Sequence, residues 1–226
     1  MKLVIFDCDG TIVDSQHMIV ASMEQAFAGE GLKSPPRERI VKVVGLSLPN
    51  AVTHLVPVRD EEMIERIATR YREAFADLRR SPEHREPLFP GAREALETLH
   101  ARPGMRLGIA TGKSRRGVAA LLEREGMHDL FATIQTSDTH PSKPHPAMLF
   151  EAMAETGVAP ADTVMVGDTT FDVEMSLDAR IGAIGVAWGY HPPDDLRRFG
   201  AHEIIEGFDE LEEAVDRLLI QRRVDA

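Results

Sequence analysis

Four short polar clusters carry side chains that could do chemistry together. They are Asp7-Cys8-Asp9-Gly10-Thr11, Thr111-Gly112-Lys113-Ser114, Ser142-Lys143-Pro144 and Gly167-Asp168-Thr169-Thr170-Phe171-Asp172. Asp7, Asp9 and Asp168 offer hard oxygen ligands, the donor type that Mg2+ prefers. Such a set suits work on a phosphate ester. The ester is anionic and repels a bare carboxylate; a divalent cation together with Lys143 neutralises both. Thr111 and backbone N–H groups at a helix start can hold phosphoryl oxygens. Unassisted monoester hydrolysis is so slow that enzymes supply up to ~10²¹-fold acceleration, so these groups are useful only if one fold brings them together.

The runs that precede the clusters explain how that happens. Leu3–Phe6 is short, continuously apolar and β-branched at Val4 and Ile5, the pattern of a strand covered on both faces. Similar runs lie at 106–110, 163–166 and 183–187, with outer-strand candidates at 131–134 and 203–205. Helical patterns alternate with them, which predicts an α/β fold with a Rossmann-like, doubly wound parallel sheet. Ligands in such sheets bind beyond the carboxyl ends of the strands, where all four clusters fall. From Ser15 to Glu86 the rhythm breaks into helical pattern alone. Ile64, Ile67, Tyr71, Phe75 and Leu78 mark one helix face there, and a proline-containing connector runs from Pro82 to Pro90. The expected division is a core of residues 1–14 and 87–226 with an all-helical cap of residues 15–86.

Bulk composition narrows the function. With 37 acidic and 26 basic side chains the formal charge is −11, which argues against a nucleic-acid surface but not against a local basic pocket. The single cysteine, Cys8, excludes an intrachain disulfide and fits a reducing compartment. No apolar run approaches the ~20 residues that span a bilayer, and Asp7 follows the first apolar run too soon for a signal peptide. A cytoplasmic protein acting on a small phosphorylated metabolite is expected, with no nucleic acid or membrane partner and the oligomeric state open.

The ordered set Asp7-x-Asp9-Gly10-Thr11, Thr111, Lys143 and Gly167-Asp168-x-x-x-Asp172 resembles the haloacid dehalogenase superfamily, over residues 3 to about 191. The segment from Ile184 to His191 is similar to its phosphoglycolate phosphatase-like subgroup. The resemblance implies a Mg2+-dependent phosphatase with Asp7 as covalent nucleophile and Asp9 as general acid and base. It also implies Mg2+ on the Asp7 carboxylate, the Asp9 backbone carbonyl and the Asp168 carboxylate. The phosphoryl group would be held by Asp9, Gly10, Thr111, Gly112 and Lys143, and Asp172 would orient Lys143 or a metal-bound water. An acid at position 9 sets the chain apart from the superfamily's dehalogenases and phosphonatases. Inorganic pyrophosphatase and nucleotidase are alternatives using the same machinery; a phosphosugar mutase or a non-catalytic phosphate-binding protein fits less well.

Two residues depart from the family pattern. Gly112 stands where many relatives have Asn, which points to looser phosphate placement or a more open pocket. Arg180 stands where many have Gly and bears on packing. Val44-Gly45-Leu46-Ser47 is the expected substrate-contacting turn of the cap. The run from Gly108 to Ser114 is one residue short of a nucleotide-binding P-loop, and its first glycine lies within a strand. Lys113, Arg115 and Arg116 read as a solvated helix start. His140, His145 and His191 read as surface or capping residues, Cys8 as a buried filler, and Trp188 and Tyr190 as packing.

Overall fold

A computed structural model describes residues 1–80 and 86–224. Six strands, β1 (Lys2–Phe6), β2 (Met105–Thr111), β3 (Phe131–Thr136), β4 (Thr163–Gly167), β5 (Gly182–Val186) and β6 (Glu203–Ile205), form one sheet of order β3-β2-β1-β4-β5-β6. Every pairing is parallel. The expected strands are all present, the two outer candidates as β3 and β6.

The continuous apolar runs reflect burial on both faces. Val4 and Phe6 join Leu107, Ile109, Val164 and Val166 in one cluster, under α5 (Ala92–Ala101), α6 (Arg115–Glu125) and α10 (Leu211–Val224). Leu3 and Ile5 point the other way, with Met165, into a second cluster under α7 (Ala147–Thr156) and α8 (Thr170–Asp178). Successive strand side chains alternate faces. Each fully buried Leu, Ile or Phe contributes about 1.5–3 kcal/mol, so both faces of β1 hold the sheet. A further helix, α9 (Pro193–Phe199), precedes β6.

Among the described residues between β1 and α5, the named elements are helices: α1 (Gln16–Gly29), α2 (Arg37–Val41), α3 (Leu48–Leu55) and α4 (Glu61–Arg80). They enclose their own cluster, with Ile19, Met23, Phe27, Ile40, Val52, Ile64 and Ile67 buried and Tyr71 and Phe75 packed against it. On the outer face of α4, Arg66 and Arg70 both clasp Glu30, at 2.9 and 2.7 Å. Two adjacent connections lead into these helices and out of them: Asp14 N–H donates to Pro87 O at 2.8 Å and Phe89 N–H to Ile12 O at 2.9 Å. Residues 82–85 of the expected Pro82–Pro90 connector lie outside the described residues.

The strand order reverses direction at β1. Connections run outward through β2 and β3, then return to the other side at β4. That switch point is where α/β sheets bind ligands.

Candidate active site

β1 and β4 are neighbours, with Phe6 opposite Val166, so the residues just beyond them, Asp7 and Asp168, must meet. Adjacent strands lie ~4.8 Å apart. Ligand atoms of Asp7, Asp168 and Asp172 all fall within 4.8 Å of one another. Thr111 ends β2, on the other flank of β1.

Each group is held by named neighbours. Asp7 Oδ1 accepts the Cys8 N–H at 2.7 Å. Asp7 Oδ2 lies 3.0 Å from the Lys143 ammonium, close enough for ion pairing but not aligned for a hydrogen bond, and it is otherwise unpartnered. Lys143 is fully buried and also meets Asp172 Oδ1 at 2.6 Å. The other Asp172 oxygen accepts from Thr169 N–H at 3.0 Å and Thr169 Oγ1 at 2.7 Å. This closes a capping box at the start of α8. Asp172 therefore caps a helix and fixes Lys143 at once. Asp168 accepts Thr11 Oγ1 at 2.8 Å and Tyr190 N–H at 2.9 Å.

These carboxylates are crowded and dry. Burial pushes Asp7 up to about 6, against the pull of Lys143 and the Thr111 hydroxyl. Burial, then the charges of Asp172 and Asp7, push Asp168 well above the usual carboxylate range. Buried like charges of this kind are stable together only beside compensating positive charge. With Asp7 Oδ2 accepting no hydrogen bond, the donor set fits a divalent cation.

The Asp9 carboxylate is not one of the three brought together, Asp172 taking that place; Asp9 lines the cleft beside Asp7. Its Oδ1 accepts Ser15 Oγ at 2.6 Å and the Lys113 ammonium at 2.7 Å. Asp7, Asp9, Thr111, Gly112 and Lys113 line a cleft of about 820 Å³ between the helical unit and the sheet. Val44, Gly45, Leu46 and Ser47, the turn expected to contact substrate, also line this cleft. Ser47 N–H donates to Ser142 Oγ at 2.8 Å, and His191 Nε2 lies 3.2 Å from Lys42 O, so the helices are seated on the core.

Two glycines have steric reasons. Gly10 has φ +87, and a Cβ there would lie 2.2 Å from Asp168 Oδ2. Its N–H donates to Val13 O at 2.9 Å, so within the protein it contributes a turn and room for Asp168. A Cβ on Gly112 would lie 2.5 Å from Gly45 O and 2.6 Å from Leu46 O. The helical unit's loop lies against Gly112, where a side chain would not fit.

Other expectations fared unevenly. Gly108 lies within β2, consistent with rejecting a P-loop. Cys8 is buried and its thiol is pushed up by burial and by Asp7 and Asp9. His145 Nδ1 accepts the Ala147 N–H at 3.2 Å at the start of α7, and His191 Nδ1 accepts the Thr170 N–H at 3.2 Å at the start of α8. Trp188 packs on Phe208, with ring centroids 4.7 Å apart. Arg180 adopts φ 57, the left-handed region that favours glycine. Lys113 is a correction: its side chain is only 7% exposed and bridges Asp9 and Glu86, whereas Arg115 and Arg116 are exposed. The sequence reading also missed Ser15, Glu86 and the Tyr190 N–H. Ser15 six residues after Asp9 was the one local signal available.

Comparison with known proteins agrees with this geometry. Residues 4–186 match the family model described as haloacid dehalogenase-like hydrolase. A Dickeya dadantii protein named probable phosphatase IndB is 37% identical over 96% of this chain and 94% of its own. Pyrophosphatase PpaX of Oceanobacillus iheyensis is 32% identical over 93% and 95%. A phosphoglycolate phosphatase of Nitrosococcus oceani is 27% identical over 93% and 94%. The crystal structure of a haloacid dehalogenase-like hydrolase from Bacteroides fragilis superposes with a TM-score of 0.85 at 24% identity, covering 93% of this chain and 99% of that one. The chain is an enzyme of the haloacid dehalogenase-like hydrolase family.

Proposed function

We propose that this chain is a Mg2+-dependent phosphatase that hydrolyses a small organic phosphate monoester, phosphoglycolate-like in class, through an aspartyl-phosphate on Asp7. The observation that carries this reading is the placement of Asp7 and Asp9 on one cleft wall, with the Lys143 ammonium 3.0 Å from Asp7. The Asp7 and Asp168 carboxylates and the Asp9 backbone carbonyl would hold Mg2+, which when bound offsets charge between substrate and carboxylates.

The chain's own residues supply the rest. Lys143, fixed by Asp172, neutralises and aims Asp7. Asp7 attacks phosphorus, the bond to the leaving oxygen breaks, and that oxygen takes a proton from Asp9. Asp9, now a carboxylate, takes a proton from water as that water attacks phosphorus. The Asp7–phosphorus bond breaks, releasing inorganic phosphate and restoring both carboxyl groups. Thr111 holds phosphoryl oxygens, with Gly112 beside it. Residues 15–86 act as a cap that covers the cleft and excludes bulk water from the attack.

A second reading, inorganic pyrophosphatase, is supported by the relative of that name and uses the same steps with phosphate as leaving group. The test is phosphate release with Mg2+ from phosphoglycolate, pyrophosphate, nucleoside monophosphates, sugar phosphates and 4-nitrophenyl phosphate. Asp7→Asn serves as control. Selective, Asp7-dependent release from an organic ester supports the leading reading, and release from pyrophosphate alone supports the second. Turnover unchanged in Asp7→Asn removes the covalent mechanism.

A further inference from the structure

Lys113 and Glu86 form a charged bridge that the proposed reaction leaves without a role. The Lys113 ammonium gives one hydrogen bond to Asp9 Oδ1 at 2.7 Å and another to Glu86 Oε1 at 2.8 Å. It lies 5.1 Å from the centre of the Phe75 ring, and Arg79 lies 5.0 Å from the same ring. Ser15 Oγ holds the same Asp9 oxygen at 2.6 Å. Two donors on Oδ1 fix the carboxylate's rotation, and Asp9 Oδ2 is left as the oxygen available to exchange a proton in the cleft.

Glu86 is 1% exposed, and three cations surround it. Besides Lys113, Arg79 in the last turn of α4 reaches Oε2 at 3.3 Å, and Arg124 in α6 reaches the Glu86 backbone carbonyl at 2.7 Å and Oε2 at 3.6 Å. A buried carboxylate so paired is costly to disturb, because removing one partner strands the others. Its position matters as much as its pairing. Glu86 immediately precedes Pro87, whose carbonyl accepts the Asp14 N–H where the two connections to the helical unit run side by side. One contiguous path therefore links α4, through Arg79, Glu86 and Lys113, to the Asp9 carboxylate.

We propose that Lys113 and Glu86 are positioning residues that hold Asp9 Oδ2 toward the leaving oxygen and tie that orientation to the seating of the helical cap. This rests on the phosphatase reading and adds to it a dependence on the leaving group. A poor leaving group such as an alkoxide needs its proton from Asp9, whereas 4-nitrophenolate departs without one. Both substrates still need Asp7, Lys143 and the metal site. A loss confined to Asp9 orientation must therefore fall selectively on alkyl esters.

The experiment measures kcat/KM, which reports the steps up to phosphoenzyme formation, for wild type, Lys113→Met, Lys113→Arg and Glu86→Gln. The substrates are an alkyl phosphate and 4-nitrophenyl phosphate. A positioned general acid is worth roughly 10²–10⁴-fold. Lys113→Met is therefore expected to lower kcat/KM for the alkyl ester by about 100-fold and for the aryl ester by less than about 5-fold. Glu86→Gln should show the same split, smaller in size, and Lys113→Arg should recover part of the alkyl activity. Retained aryl turnover itself shows that the variants fold. Equal losses on both substrates, or a rise in KM alone on both, would overturn the proposal, since those are the marks of a structural or phosphate-binding lysine. Wild-type protein that releases phosphate from neither substrate removes the phosphatase reading, and this inference with it.

Discussion

Gly112→Ala tests whether the seated position of the helical unit is the working one. The new Cβ would meet the carbonyl oxygens of Gly45 and Leu46 at 2.5 and 2.6 Å. Carbon–oxygen contacts rest at about 3.3 Å or more, so roughly 0.8 Å of retreat is required. Neither obstacle is a side chain that can swing aside. If the loop retreats by that amount, the 2.8 Å bond from Ser47 N–H to Ser142 Oγ stretches to about 3.6 Å, beyond hydrogen-bond range. That loss is worth about 1 kcal/mol, and misplacement by ~1 Å at a reacting site can cost about 10²-fold. The expected result is a 10- to 100-fold fall in kcat/KM for 4-nitrophenyl phosphate, with Tm within about 4 °C of wild type. Gly112→Asn, with a larger side chain, should be at least as damaging. Steady-state kinetics beside a thermal melt measure both quantities. Unchanged kcat/KM would show that the loop does not rest on Gly112 during turnover and would refute the reasoning; a collapsed Tm would place the damage in the core instead.

Other outcomes follow from the same geometry. Mg2+ at about one hundred times its Kd should stabilise the protein by about 2.7 kcal/mol in a thermal melt. Asp168→Asn should remove most of that gain. Arg180 holds φ 57, which costs a non-glycine residue roughly 1 kcal/mol. Arg180→Gly should therefore raise Tm by a few degrees, and a fall in Tm would show that its contacts outweigh the strain. His191 is kept neutral chiefly by burial, which lowers it below the usual histidine value. The unfolded chain takes up that proton near pH 6.5 while the folded chain resists it. The unfolded state then holds more protons, so stability should decline as pH falls below about 6.5. A His191→Gln melt series should show a shallower slope over that window.

How much of this was legible beforehand depended on whether the signal was local. The strand at Leu3–Phe6 declared itself because both its faces are covered, and the Ile64-to-Leu78 face because a helix repeats its contacts every three or four residues. The motif loops were legible because each directly follows a strand, and parallel topology gathers strand ends. The Lys113 bridge was not. Its partners lie 104 and 27 residues away, and a lysine at a helix start has the same local pattern whether solvated or buried. Gly112 was noticed, but its reason was hidden in the backbone of a loop more than sixty residues earlier. Gly10 illustrates a third limit: its place in a motif does not show that a local turn's hydrogen bond to Val13 O takes up its N–H.

The central claim is a covalent phosphoenzyme on Asp7, and the direct measurement is to trap it. Protein mixed with Mg2+ and phosphorus-labelled substrate is quenched in acid within a single turnover, then digested and mapped by mass. An Asp9→Asn sample is run in parallel with an activated aryl phosphate, because that variant should slow breakdown of the intermediate. The account predicts a hydroxylamine-sensitive phosphoryl group on the peptide containing Asp7, enriched in Asp9→Asn and absent from Asp7→Asn. Phosphate release without any such label, or release that persists in Asp7→Asn, would contradict it.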